Sequence, residues 1–140
     1  MLRRAPVIRC VAEYLEHRRL LADSITIFRD GSGIMWINRN GTSLPMTDNT
    51  VNGSAGNDTI RVDSTGANGL VIVPGNGADT IIVATNGDMD DLGAGGVFIR
   101  AGTDSLVDTL EVRDYADGGD DSYEFSHVIV SLDTKVIKPD

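Results

Sequence analysis

From Ser24 onward the apolar positions fall in runs of four or five residues, each closed by Gly, Asn or Asp. No stretch joins helical length to a 3.6-residue period, whereas short alternating runs bounded by turn formers read as strands. Nine strands are predicted, over 25–28, 34–37, 60–62, 70–73, 81–83, 97–100, 110–112, 123–125 and 128–132. The domain is therefore expected to be all-β. In four of these runs the alternation sends Ile60/Val62, Ile81/Val83, Leu110/Val112 and Tyr123/Phe125 toward a core. It leaves Arg61, Ile82, Glu111 and Glu124 facing outward.

The chain also repeats itself. Gly56-Asn57-Asp58-Thr59-Ile60-Arg61-Val62 matches Gly77-Ala78-Asp79-Thr80-Ile81-Ile82-Val83. Asp108-Thr109-Leu110-Glu111-Val112 repeats the second half of that pattern. Gly119-Asp120-Asp121-Ser122-Tyr123-Glu124-Phe125 repeats all of it, with Ser and Tyr as conservative stand-ins. Glycines at such turns permit positive φ, so that carbonyl oxygens converge, and the Asp adds a carboxylate at the same point. Two such turns stacked together can offer the six to eight oxygens, at roughly 2.3–2.6 Å, that Ca²⁺ takes. The alternative use of each Asp is an Asx-turn or hydrogen-bonded cap in a metal-free β-helix.

Composition supports many short strands joined by turns. The 140 residues make one domain, with 16 Gly and 17 Asp against 4 Glu and no Gln. Formal net charge is −9, and five basic residues (Arg3, Arg4, Arg9, Arg18, Arg19) precede position 20. From Ser24 on, 18 acidic side chains face 7 basic ones, and within 79–124 only Arg100 and Arg113 oppose 12 acids. Such a field repels nucleic acid and makes a cationic partner the natural one. The single Cys10 excludes an intrachain disulfide, and His17 and His127, the only histidines, offer no zinc-type spacing. No apolar run approaches the length of a membrane span.

Enzyme signatures are weak, and none is expected to operate. Asp-Ser-Thr-Gly-Ala at 63–67 has one residue too many for an aspartic-protease Asp-Thr-Gly, and Gly-Ala-Gly-Gly at 93–96 lacks a following Lys. There is no Gly-x-Ser-x-Gly elbow. The run 86–96 fails the EF-hand template and is expected to be a solvated loop.

Two resemblances sharpen the reading. Tyr14 to Ala22, "YLEHRRLLA", resembles a Leu-Glu-x-Arg-x-Leu-Leu-Ala/Ser element found near the start of exported, often repeat-rich bacterial proteins. It implies a targeting-like segment over 1–23, a domain over 24–140, and an extracellular or cell-surface location. "GSAGNDTIRV" and "GNGADTIIV" resemble the hemolysin-type (RTX) nonapeptide Gly-Gly-x-Gly-x-Asp-x-apolar-x, in a degenerate form. The intervals between the four Asp positions are 21, 29 and 13 residues, not multiples of nine. That family winds into a right-handed parallel β-roll, or solenoid, with Ca²⁺ between adjacent turns. The resemblance implies carboxylate ligands at Asp58 and Asp79, with carbonyls around Gly53, Gly56, Asn57, Gly75 and Gly77. It extends by the same pattern to Asp104, Asp108, Gly119, Asp120 and Asp121.

The spacing suggests a winding in which 59–62, 80–83 and 109–112 stack in one sheet and 70–73, 97–100 and 122–125 in the other. Turns 52–58, 74–79 and 101–108 would line one edge. Turns 63–69, 84–96 and 113–121 would line the other, bringing Asp63, Asp88, Asp90, Asp91, Asp114, Asp117 and Asp120 together. Residues 25–41 would form an N-terminal coil or a hairpin cap that buries Trp36. The leading expectation is a secreted, structural Ca²⁺-binding β-roll whose folding is coupled to the ion, with matrix or cell-surface components as partners. A metal-independent solenoid for adhesion or self-assembly comes second, and a carbohydrate-active β-helix enzyme third.

Overall fold

A computed structural model describes residues 22–100 and 106–116, together with the backbone of 124–128 and 133–137. Among the described residues the secondary structure is all-β apart from one 3₁₀ turn, Met89–Asp91. Its strands are β1 (Ser24–Arg29), β2 (Met35–Arg39), β3 (Thr42–Pro45), β4 (Thr50–Asn52), β5 (Thr59–Val62) and β6 (Leu70–Val73). There follow β7 (Thr80–Val83), β8 (Val97–Arg100), β9 (Thr109–Val112), β10 (Glu124–Val128) and β11 (Asp133–Ile137). They form a six-stranded sheet, β3-β2-β1-β5-β7-β9, and a five-stranded sheet, β10-β11-β8-β6-β4. From β4 to β9 every strand lies in the other sheet from the one before it.

The neighbours so produced run parallel: β1, β5, β7 and β9 in the first sheet, β4, β6 and β8 in the second. The expected stacks of 59–62, 80–83 and 109–112, and of 70–73 with 97–100, are present. Register is set by the inward alternation, because a one-residue slip would turn every apolar side chain to solvent. Ile25, Ile60, Ile81 and Leu110 therefore form one column, and Ile27, Val62, Val83 and Val112 the next. With Val51, Leu70, Ile72, Val97 and Ile99 from the second sheet they make a single aliphatic core. Each fully buried Ile, Leu or Val contributes on the order of 1.5–3 kcal/mol.

Several expectations need correction. Of the expected strand 122–125, the described residues 124–125 do not stack on 97–100: β11 pairs antiparallel with β8, and β10 pairs with β11 beyond it. Two strands adjacent in sequence pair locally, and that return places β11 against the edge of β8. The predicted strand 128–132 meets the structure only at Val128, where β10 ends; 129–132 lie outside the described residues. Residues 25–41 serve as both a coil and a cap, since β1 pairs parallel with β5 on one side and antiparallel with β2 on the other. The unanticipated β3 follows a two-residue turn with positive φ at Asn40 (52°) and Gly41 (89°), the Asn-Gly type I′ hairpin. Trp36 is half-buried, not buried, and its Nε1–H donates to Asp30 Oδ2 at 2.8 Å.

Outer-facing Ile82, between Arg61 and Glu111 in register, is nonetheless buried. The loop at 86–96 is not simply solvated. Met89 and Leu92 from it are buried in the core, so the longer crossover contributes packing as well as turn.

Candidate functional site

The four rungs of the first sheet each begin with Asp followed by Ser or Thr: Asp23-Ser24, Asp58-Thr59, Asp79-Thr80 and Asp108-Thr109. Parallel pairing starts at that Ser or Thr, so the four Asp residues line up along one edge. Their hydrogen bonds follow one rule. The main-chain N–H of Asp23 donates to Asp58 Oδ1 at 2.6 Å, that of Asp58 to Asp79 Oδ1 at 2.7 Å, and that of Asp79 to Asp108 Oδ1 at 3.0 Å. The next residue carries the ladder on, with the N–H of Thr59, Thr80 and Thr109 donating to the carbonyls of Asp23, Asp58 and Asp79. Each rung thus supplies a carboxylate to the rung before it.

Asp58 and Asp79 are both about 1% exposed. A buried carboxylate is costly unless donors surround it. At Asp58 the backbone N–H of Ser54 donates to Oδ2 and the Ser54 hydroxyl to Oδ1 at 2.7 Å, in addition to the Asp23 N–H. The turn Gly53–Asn57 is therefore folded inward onto its own Asp. Asn57 adds a further tie, its Oδ1 accepting from the Ala78 N–H at 3.0 Å.

The glycines of these turns have a steric reason. Gly75 has φ +104°, and a Cβ there would lie 2.0 Å from the Ser54 carbonyl oxygen. At Gly77, φ +128°, the nearest atom would be the Gly56 carbonyl oxygen at 2.4 Å. Successive turns thus press backbone on backbone, and a side chain at either position would force them apart.

At the N-terminal end the ladder is closed by the β2–β3 hairpin. Arg39 forms an ion pair with Asp23, and Asn40 Nδ2 donates to Asp23 Oδ1 at 2.7 Å. The Arg39 guanidinium also reaches the Asn52 carbonyl at 2.5 Å.

On the opposite edge the crossovers stack in the same manner, with the Thr65 N–H on the Asp91 carbonyl and the Gly93 N–H on Thr65 Oγ1. Of the acids expected to gather there, Asp117 and Asp120 lie outside the described residues, while Asp88 and Asp91 make local contacts. Asp88 Oδ1 caps the 3₁₀ turn through the Asp90 N–H at 2.8 Å, and Asp91 Oδ2 accepts from Asn86 Nδ2 at 2.7 Å. Among the described residues no group of three or more His, Cys, Asp or Glu side chains is placed to hold a metal ion.

Of the expected site residues, Gly53, Gly56, Asn57, Asp58, Gly75, Gly77, Asp79 and Asp108 come together along the first edge. Asp104, Gly119, Asp120 and Asp121 lie outside the described residues, as does segment 1–21. Four participants lie outside the expected set: Asp23, Ser54, Arg39 and Asn40. The signal for Asp23 was in plain view, because Asp23-Ser24-Ile25-Thr26-Ile27 is another copy of Asp-Ser/Thr-apolar-x-apolar. No protein-family model, curated protein or solved structure matches the chain.

Proposed function

We propose that this protein is an exported structural module, a two-sheet β-solenoid whose turns are laced by aspartate carboxylates and backbone N–H groups in place of bound cations. The observation that carries this reading is the run Asp23–Asp58–Asp79–Asp108, in which each rung's N–H meets the next rung's carboxylate. At Asp58 both carboxylate oxygens already face N–H or O–H donors, an environment that suits an anion and opposes an approaching cation. The role is adhesive or scaffolding: a stack of short rungs presenting long, exchangeable crossovers at the surface of a cell or matrix. The Leu-Glu-x-Arg-x-Leu-Leu-Ala-like segment supports the extracellular assignment.

Calcium-coupled folding is the second reading, favoured by the surplus of 18 acidic over 7 basic side chains from Ser24 onward. Far-ultraviolet circular dichroism and thermal melting in a chelator and in millimolar Ca²⁺ separate the two. The first reading expects the same β-spectrum and the same midpoint in both buffers. A spectrum that becomes β-rich only when Ca²⁺ is added overturns it in favour of the second.

A further inference from the structure

The two ends of the aspartate ladder are unlike. At the first, Asp23 is taken up by Arg39 and Asn40. The sheet edge beyond, at β3, is blunted. Met46 N–H bonds back to the Met35 carbonyl, so the alternation of an antiparallel pair turns the Pro45 nitrogen, which carries no hydrogen, to the outside.

At the other end β9 is the last strand of its sheet. Thr109 and Arg113 direct their N–H groups to the Asp79 and Val83 carbonyls of the neighbouring rung, at 2.8 and 3.0 Å. Strand alternation then turns the N–H groups of Asp108, Leu110 and Val112 away from β7. No proline interrupts this edge and no strand covers it among the described residues. The apolar columns are incomplete there as well. Ile81 and Val83 are at most 1% exposed, whereas Leu110 and Val112 are only partly buried. Leu106, Val107 and Tyr115, beside β9, stand 55%, 82% and 70% exposed.

We infer that the free edge of β9 is a docking site for an extended segment of another polypeptide with the sequence type Asp-Ser/Thr-apolar-x-apolar, entering as one more parallel rung. The molecule itself specifies the occupant. In three consecutive steps the strand that covers an Asp N–H brings a carboxylate to that N–H, then a Ser or Thr, then two inward apolar residues. The same rule applied at Asp108 requires the same segment. The rung motifs Asp23–Ile27, Asp58–Val62 and Asp79–Val83 of a folded second copy do not supply it, because each is paired on both sides. The inference rests on the structural role given to the ladder above and adds a partner to it.

The test uses the full chain and a fluorescein-labelled peptide of residues 53–63, "GSAGNDTIRVD", in whichever buffer circular dichroism shows the protein folded. Fluorescence anisotropy should rise saturably with protein. A peptide carrying Asp58→Asn should bind at least about tenfold more weakly, a charge-assisted hydrogen bond having become a neutral one. Leu110→Pro, which removes an outward donor and none that faces β7, should abolish binding. Hydrogen exchange on the unmodified protein gives a reading that needs no variant: peptide should slow the Leu110 and Val112 amides and leave Ser43 unchanged. No anisotropy change, equal affinity for both peptides, or protection elsewhere than β9 overturns the docking site. Concentration-dependent dimerisation that protects β9 and excludes the peptide overturns it too. Because metal dependence is read separately from the circular dichroism, failure of docking and failure of the ladder reading remain distinguishable.

Discussion

The main-chain N–H of Asp58 donates to the carboxylate of Asp79 at 2.7 Å although 21 residues separate them. Both residues are buried, and the same contact recurs one rung earlier and one rung later across 35 and 29 residues. A side chain thus extends the backbone ladder by one bond at the place where strand becomes turn. Removing the carboxylate strands a buried donor on the preceding rung, which costs more than losing a solvated contact.

Asp58→Ala deprives the Asp23 N–H, the Ser54 N–H and the Ser54 hydroxyl of their acceptor. The expected loss is about 2–4 kcal/mol, read as a lower urea midpoint with chelator present. Ser54→Ala removes one of those donors and should cost about 1 kcal/mol. Equal, negligible effects of the two changes would show that the carboxylate is not held as described.

Gly75→Ala places a methyl group against the Ser54 carbonyl at a φ of +104°. It should destabilise the protein by at least about 2 kcal/mol, since left-handed strain and the separation of two turns act together. Gly31→Ala, where nothing lies within 4 Å, should stay within about 0.5 kcal/mol of the parent. Thermal melting of the pair is the check.

Met89 lies in a crossover yet is fully buried. Met89→Ala should cost about 2–5 kcal/mol, as in a core, while Val107→Ala, at an 82% exposed position, should be silent. Denaturation of the two variants side by side distinguishes a packed crossover from a solvated one.

Asp30 offers a titration with an optical reporter. The Trp36 indole N–H first, then the Ile34 backbone N–H, with Ser32 and Gly33, hold its carboxyl below the usual carboxylate range. A depressed folded value means that this contribution is complete above the unfolded pKa of about 3.9 and is lost as pH falls through the folded value. Trp36 is the only tryptophan, so its emission should change in that acid window and not above it. Asp30→Asn should flatten the curve.

Much of the core was legible because the inner face repeats with period two. Ile60, Ile81 and Leu110 share an offset from Asp58, Asp79 and Asp108, and parallel pairing preserves that offset. The hairpin cap was only half visible. The Asn40-Gly41 dipeptide is a strong local turn signal, but β3 is exposed throughout and carries no apolar alternation. Ile82 shows the limit of alternation as a guide, since an outward position in a central strand is buried by its surroundings. The liganding of Asp58 was the least legible feature. Glycine, Asp and Thr in that order suit a cation site and a hydrogen-bonded turn alike, and nothing in that order announces the Asp23 and Ser54 donors that meet the carboxylate.

The unequal crossovers have a mechanical consequence. Once β11 has left β8, force that draws β9 from β7 together with β8 from β6, and then β7 from β5 together with β6 from β4, frees 29 and then 21 residues behind contacts of nearly identical design. At about 3.4 Å per residue those releases are roughly 100 and 70 Å of contour length. A single tethered molecule would therefore carry an uneven extension fingerprint that reports which rung has let go.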